Sequence, residues 1–212
     1  MKIALINENS QAAKNEMICS ALKKVVQPMG HEVFNYGMYG AEDANQLTYV
    51  QNGILAAILL NSKAADYIIT GCGTGEGAML ACNAFPGVLC GHVVDSTDAY
   101  MFAQINDGNA IAMPFAKGFG WGADLNLQYV FEKLFEGESG QGYPRDRVIP
   151  EQRNKKILDE VKKVTHQDIM TILKNIDQEL LKGAVSGEGF KKYFFANCKN
   201  DDIANYIKKV LE

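Results

Sequence analysis

Basic excess, paired cysteines, histidines and long apolar runs are all scarce in this chain, and each shortage removes a class of function. Lysine and arginine number 21 against 25 aspartates and glutamates, a formal net charge of -4. A protein that grips a polyanion needs a basic patch or a pI above about 9. Lysine pairs such as Lys155-Lys156 and Lys162-Lys163 sit in helical stretches and read as solvated faces. No nucleic-acid partner is expected. The five cysteines, Cys19, Cys72, Cys82, Cys90 and Cys198, include no CxxC pair, and with three histidines they form no cluster at metal-binding spacing. An odd, dispersed set fits reduced thiols in a cytoplasm and no metal site. The opening apolar stretch turns polar at Asn7, too soon for a signal peptide. No run approaches the ~20 apolar residues that cross a bilayer; the longest, Gly53 to Leu60, is a helix face or a buried element. No membrane partner is expected.

What is present is enough apolar material for a core. With 47% hydrophobic and 22% charged residues in 212, the chain is globular, and its length fits one large domain or one domain with an added segment. Through about residue 135 short apolar runs alternate with helical patterns, which is how βαβ units on a parallel sheet read. Strands are expected at Lys2–Ile6, Val33–Tyr36, Asp66–Thr70, Val88–Val94 and Asn109–Met113. Helices are expected at Gln11–Val26, Gln46–Asn61, Ala78–Asn83, Thr97–Ile105 and Gly120–Phe135. The first is capped by Ser10 and stopped by Gly30, with Met17, Leu22 and Val25 on its apolar side. Gly137-Glu-Ser-Gly-Gln-Gly142 breaks the pattern, and from Pro150 the chain is charged and helical. One long helix is expected over Glu151–Lys182, then a break at Gly183–Gly189 and a last helix near Asp201–Leu211. The division that follows is an α/β core at about 1–138 and a helical extension at about 139–212, packed on the core or at an oligomer interface.

Ligands of open parallel sheets bind beyond the carboxyl ends of the strands, and the sharpest loop there is Thr70-Gly71-Cys72-Gly73-Thr74-Gly75-Glu76-Gly77. Four glycines in seven positions let the backbone approach a ligand and line up N–H groups as an anion nest. A helix starting just after adds its positive end. Such a setting favours thiolate, so Cys72 is a candidate base or nucleophile; the bland alternative is a tight turn with an inert cysteine. Gly73-Thr-Gly75-Glu-Gly77-Ala78 imitates a dinucleotide fingerprint, with Asp95 at the acidic position, but that fingerprint belongs on the first βα turn, where Asn7-Glu-Asn-Ser10 has no glycine. A thiol phosphatase needs an arginine closing the loop, and Ala78, Met79 and Leu80 stand there.

Cys72-Gly-Thr-Gly-Glu-Gly77 with Ala81-Cys82-Asn83 and Pro86-Gly87-Val88 resembles the CGTGxGxxxAANKxxGxR stretch of the ribose-5-phosphate isomerase B and galactose-6-phosphate isomerase family. Lys2-Ile-Ala-Leu ending in Glu8, Tyr36-Gly37, and Ala103-Gln-Ile-Asn106-Asp107-Gly108-Asn109 support it, so the resemblance covers roughly residues 1–148. It implies a Rossmann-like three-layer α/β/α sandwich with a mostly parallel five-stranded sheet and a C-terminal helical extension. It also implies a homodimer, or a higher homo-oligomer, with sites built from both chains, and aldose–ketose isomerisation without a metal or nucleotide cofactor. By the same resemblance Cys72 is the base, and Thr74 with the backbone of Gly73, Gly75 and Gly77 holds the enediolate oxygens. Glu8 is the second candidate catalytic group. Candidate substrate contacts are Asn7, Asn9, Glu76, Asn83, His92, Asn106, Arg145 and Arg147. For the arginines, with Arg153, a carboxylate site across the dimer stands against a surface ion pair.

The departures narrow the substrate. Ile105 replaces the family's ring-opening histidine, Glu8-Asn9 replaces its Asp-His pair, Leu47-Thr48-Tyr49 replaces its Asp-Tyr-Pro, and the phosphate-clamping arginines are thinned. An open-chain substrate bearing a carboxylate needs neither ring opening nor a phosphate clamp. The chain, with Lys117-Gly-Phe-Gly-Trp-Gly122 and its helical tail, is similar to a longer offshoot of the family. That offshoot isomerises 4-deoxy-L-threo-5-hexosulose uronate from pectin or glycosaminoglycan breakdown. The alternatives are a sugar-phosphate isomerase and a non-catalytic sugar- or nucleotide-binding module. Phe119-Gly-Trp121 reads as a packed helix start rather than an active-site wall.

Overall fold

In the computed structural model, which describes residues 1–212, the five apolar runs become five strands. They are β1 (Lys2–Ile6), β2 (Glu32–Asn35), β3 (Tyr67–Cys72), β4 (Cys90–His92) and β5 (Ala110–Pro114), all parallel, in the order β2-β1-β3-β5-β4. The expected bounds differ by a residue or two, except that the fourth strand shrinks to three residues. Ile6 pairs with Thr70, and Cys72 with Pro114. The chain runs outward from β1 to β2 and then returns to β3 on the other side of β1. The carboxyl ends of β1 and β3 therefore flank the point where the winding reverses, which is where such sheets open a crevice.

Five helices cover the two faces: α1 (Asn15–Val26), α2 (Tyr49–Asn61), α3 (Glu76–Asn83), α4 (Ser96–Met101) and α5 (Ala123–Leu134). Strand alternation sorts the apolar residues between them. Ile3, Leu5 and Ile69 pack with Leu22, Val130 and Phe131 of α1 and α5, whereas Ala4, Ile6 and Ile68 pack with α2 and α3. Helix α2 is apolar all round and buried from Gln51 to Leu60, the pattern of a helix with structure on both sides. Its second side is covered by the C-terminal residues.

Those residues form α6 (Val148–Thr165), α7 (Ile169–Asn175), α8 (Gln178–Val185), α9 (Glu188–Asn197) and α10 (Asp201–Leu211). The single helix expected over Glu151–Lys182 is three. Asp168 accepts from the Thr171 amide at 2.9 Å and Asp177 from the Leu180 amide at 2.8 Å, so each aspartate starts a new helix as an N-cap. A charged, helical composition with no glycine or proline from Glu151 to Lys182 hides both corners. Leu173, Leu181, Val185, Phe190, Phe194, Ile203 and Ile207 are fully buried in the same cluster as Tyr36, Leu47 and α2. At about 2 kcal/mol for each large side chain, that burial docks this layer firmly.

Other expectations need correction. A short 3-10 turn, Asn9–Lys14, precedes α1, and its cap is Glu8, not Ser10. Met17 is exposed, because it stands five residues before Leu22 within α1, about 140° round the helix from the buried face. Trp121 is fully exposed between Gly118 (φ +70°) and Gly122 (φ +82°), so Phe119-Gly-Trp121 is not a packed helix start; only Phe119 reaches the core. No helix is long and apolar enough to cross a membrane.

Candidate active site

Cys72 is the last residue of β3, 8% exposed, at the mouth of the crevice. The next residues leave the sheet but stay tied to it. The Cys72 carbonyl accepts from the Phe115 amide at 2.9 Å, and the Gly73 carbonyl from the Ala116 and Lys117 amides at 3.0 and 2.9 Å. Gly75 then turns the chain at φ +82°, the left-handed region that glycine adopts without cost. The turn aims the Gly75 N–H at Cys72 Sγ, 3.2 Å away. The sulfur is thereby held as the acceptor of a backbone N–H. Directly behind, α3 begins at Glu76, whose amide donates to the Thr74 hydroxyl at 3.3 Å, so the positive end of the helix lies beside the loop.

The other free thiols offer nothing similar. Cys90, at the start of β4, is held well above the usual thiol range by its hydrogen bond to Cys82 and then by burial, so it stays protonated.

A cavity of about 500 Å³ opens over Cys72, lined by Glu8, Asn9, Ser10, Thr48, Tyr49, Cys72, Gly73, Thr74 and Gly77. Each element contributes through its end. Glu8 follows β1, is 3% exposed, and accepts from the Ser10 hydroxyl at 2.6 Å and the Ser10 amide at 2.9 Å, which fixes its carboxylate at the rim. Asn9 donates its amide to the Leu47 carbonyl at 2.7 Å, closing the rim toward α2. Thr48 and Tyr49 were not singled out from the sequence as site residues. Thr48 is the N-cap of α2 in a capping box with Gln51, and that Thr-x-x-Gln spacing is the signal that would have put both residues at a helix mouth. The Tyr49 ring lies where Gly77 has no side chain; a Cβ there would be 3.3 Å from the ring.

The remaining candidates lie outside this wall. Gly75 and Glu76 belong to the loop without lining the cavity, and Glu76 is exposed. Asn7 is fully buried beside it, and neither polar atom of its amide has a partner. His92 Nε2 lies 2.8 Å from the Thr74 carbonyl, behind the loop. Asn83 clamps β4 to α3, donating to the Cys90 carbonyl at 2.8 Å and accepting from the Cys90 amide at 3.0 Å. Asn106 sits just before β5, at the amino edge of the sheet, opposite the end that carries Cys72. Arg145 and Arg147 follow a segment bonded to the Ala103 and Gln104 carbonyls through the Gly140 and Gly142 amides, again away from the cavity.

No lysine or arginine lines the cavity. Lys14 stands near the loop, but its ammonium is held by Gln11 Oε1 at 2.8 Å and the Phe115 carbonyl, over the Phe119 ring. A thiol facing N–H donors and a fixed carboxylate, in a cleft sized for a small sugar derivative, can remove and return a carbon-bound proton and hold the oxyanion between.

Comparison with known proteins identifies the family. The family model described as "Ribose/Galactose Isomerase" matches residues 3–136, and one described as "Ribose-5-phosphate isomerase" matches residues 164–210. A solved 4-deoxy-L-threo-5-hexosulose-uronate ketol-isomerase, complexed with a tartrate, is 64% identical over 100% of this chain and 99% of that one, with a TM-score of 0.98. A ribose-5-phosphate isomerase from Vibrio parahaemolyticus is 52% identical over 100% and 99%, with a TM-score of 0.97. The type B ribose 5-phosphate isomerase of Trypanosoma cruzi, 16% identical over 77% and 99% with a TM-score of 0.63, shares the fold. No curated protein matches the chain. Fold and relatives together define an α/β enzyme of the isomerase class. The chain belongs to the ribose/galactose isomerase family.

Proposed function

We propose that the Cys72 cavity isomerises an open-chain deoxy-keto-uronate, 4-deoxy-L-threo-5-hexosulose uronate, in the breakdown of uronic-acid polymers in the cytoplasm. The observation that carries this is a base without a ring-opening partner: the Cys72 sulfur faces the Gly75 N–H, while Ile105 occupies the family's histidine position. The full-length relative named for that substrate supports it. Cys72 as thiolate takes the proton from C2 of the substrate, and the electron pair of the C–H bond forms the C1–C2 double bond of an enediolate as the aldehyde π pair moves onto O1. Thr74 and the amides of Gly73 and Gly77 face that oxyanion. The Cys72 thiol returns the proton to C1, and Glu8 relays the hydroxyl proton from O2 to O1. Asn7 and Asn9 sit at the strand end from which they would hold the remaining hydroxyls. NMR of the purified protein with each substrate is expected to show turnover of the deoxyuronate; conversion of ribose 5-phosphate alone would reverse the assignment to a sugar-phosphate isomerase.

The substrate carboxylate needs cations that the cavity wall lacks, and we assign them to Arg145 and Arg147 of a second copy of this chain, with Asn106 as a neutral hydrogen-bonding group beside them. Helix α6 supports a homodimer. None of its 18 residues is buried, and Ile149 and Val164 are 78% and 87% exposed at the two ends of a groove that also takes in Arg153, Ile157, Glu160 and Val161. An antiparallel copy sets Ile149 against Val164 and Arg153 against Glu160, so the face is self-complementary about a point between Lys156 and Ile157. Ile157→Glu is expected to give a monomer in sedimentation velocity and to lose turnover with it; an unchanged sedimentation coefficient would remove α6 as the seam. On this reading the boundary near residue 138 separates the catalytic α/β core from a segment that both docks on α2 and carries the dimer face.

A further inference from the structure

We infer that His92 is a positioning residue for the base, acting on the Cys72 sulfur through one peptide group; the inference rests on Cys72 being that base. The group is the Thr74–Gly75 peptide. Its carbonyl oxygen lies 2.8 Å from His92 Nε2, and its N–H lies 3.2 Å from Cys72 Sγ. A carbonyl oxygen only accepts, so Nε2 carries the proton and donates. In a trans peptide the C=O and N–H point in opposite directions within one plane. The imidazole that fixes the oxygen therefore fixes the direction of the N–H, and it does so from the far side of the loop, where it leaves the cavity free for substrate.

Two further observations show that this contact is built in. His92 ends β4 and is held by register, paired with Ala112 of β5, while the Val93 amide donates to the Ala112 carbonyl at 3.1 Å. The loop has room for the ring only because residue 75 is glycine: a Cβ there would stand 2.9 Å from His92 Cδ2 and Nε2 and 2.8 Å from the Met113 carbonyl carbon. Donation into the carbonyl polarises the peptide and strengthens the N–H on its other side. Hydrogen bonds to an ionised acceptor are about twice as strong as neutral ones, so the effect falls on the thiolate and on the transition state that leaves it, more than on substrate binding.

The test uses two amides of different reach. Glutamine places its side-chain nitrogen near the position of Nε2, whereas asparagine falls short, near Nδ1. His92→Asn is expected to lower kcat about tenfold with KM within twofold, the worth of one hydrogen bond to a charged acceptor. Alkylation of Cys72 by iodoacetamide, followed on its own peptide, is expected to slow in parallel. His92→Gln is expected to recover most of both. Unchanged kcat and alkylation in His92→Asn, or equal impairment of the two variants, would overturn the inference. Cys72→Ala retaining turnover would instead show that the base is elsewhere, which is the separate failure of the reading above.

Discussion

Cys72→Ala is expected to lower kcat by about 10²–10⁴-fold, the usual contribution of one positioned general base, with little change in melting temperature. The two halves of that expectation have different causes. Turnover depends on a group that accepts a proton from carbon and gives it back, and alanine can do neither. The N–H of Gly75 would still point into the gap, but with nothing to hold. Stability depends on packing, and Cys72 packs through a backbone that remains in register with Pro114 and bonded to Phe115. Its sulfur faces the cavity, so removing it enlarges an existing space more than it opens a new one in the core. Cys72→Ser keeps a hydrogen-bond acceptor for Gly75 but offers a far weaker acid, and should fall nearly as far. Glu8 is the competing base, since its carboxylate lines the same cavity. Steady-state rates of Cys72→Ala beside Glu8→Gln, with thermal melts of both, decide between them. Residual activity within tenfold of the parent for Cys72→Ala would move the base to Glu8.

How much of this was legible in advance follows from the range of each interaction. The order of strands and helices through residue 135 is local, set by apolar period and turn residues, and it was readable, with strand bounds within a residue or two and helix ends off by up to four residues. Where two local signals compete, the sequence misleads: Ser10 and Glu8 can each cap a turn, and Asp168 and Asp177 look like ordinary helix surface until the chain is seen to corner there. The wall of the candidate cavity around Cys72, Gly73, Thr74 and Gly77 was legible because it is one contiguous loop. Thr48 and Tyr49 were not singled out, because what brings them to Cys72 is the packing of α2 beside α3, a contact with no local pattern. His92 was legible as a residue at the ligand edge, but not as one facing the back of the loop, because which side of a loop a neighbouring strand presents depends on register and twist. Asn106, Arg145 and Arg147 lie off the Cys72 wall for the same reason at larger scale: the sequence gathers them by motif, while the fold of one chain sets Asn106 at the amino edge of the sheet and leaves both arginines out of the cavity lining.

That dependence on the α2–α3 contact leads to the second large effect. Gly53→Ala is expected to lower the melting temperature by several degrees and to cut turnover, although alanine is the better helix former. Gly53 lies in the second turn of α2, where an added Cβ would stand 2.6 Å from both the carbonyl carbon and the oxygen of Ala81 in α3, and 2.9 Å from the Ala81 Cβ. Carbon atoms pack comfortably at about 3.5–4.0 Å, and the obstructing atoms are backbone, which no rotamer change can move. The helices must therefore part. Helix propensity favours alanine by about 0.5–1 kcal/mol, whereas overpacking a fitted contact costs about 1–3 kcal/mol, so the clash wins by about 1–2 kcal/mol. At about 2–4 °C per kcal/mol for a chain of this size, the melting temperature should fall by roughly 2–8 °C. Turnover should suffer beyond that loss, because the cavity lies between the two helix starts: Thr48 and Tyr49 open α2, and the Cys72 loop opens α3. Gly40, with nothing within 4 Å of its added Cβ, is the control and should accept alanine with neither change. A Gly53→Ala protein that melts higher and turns over normally would mean that α2 and α3 can separate without cost, and that the cavity owes its shape to the loops alone.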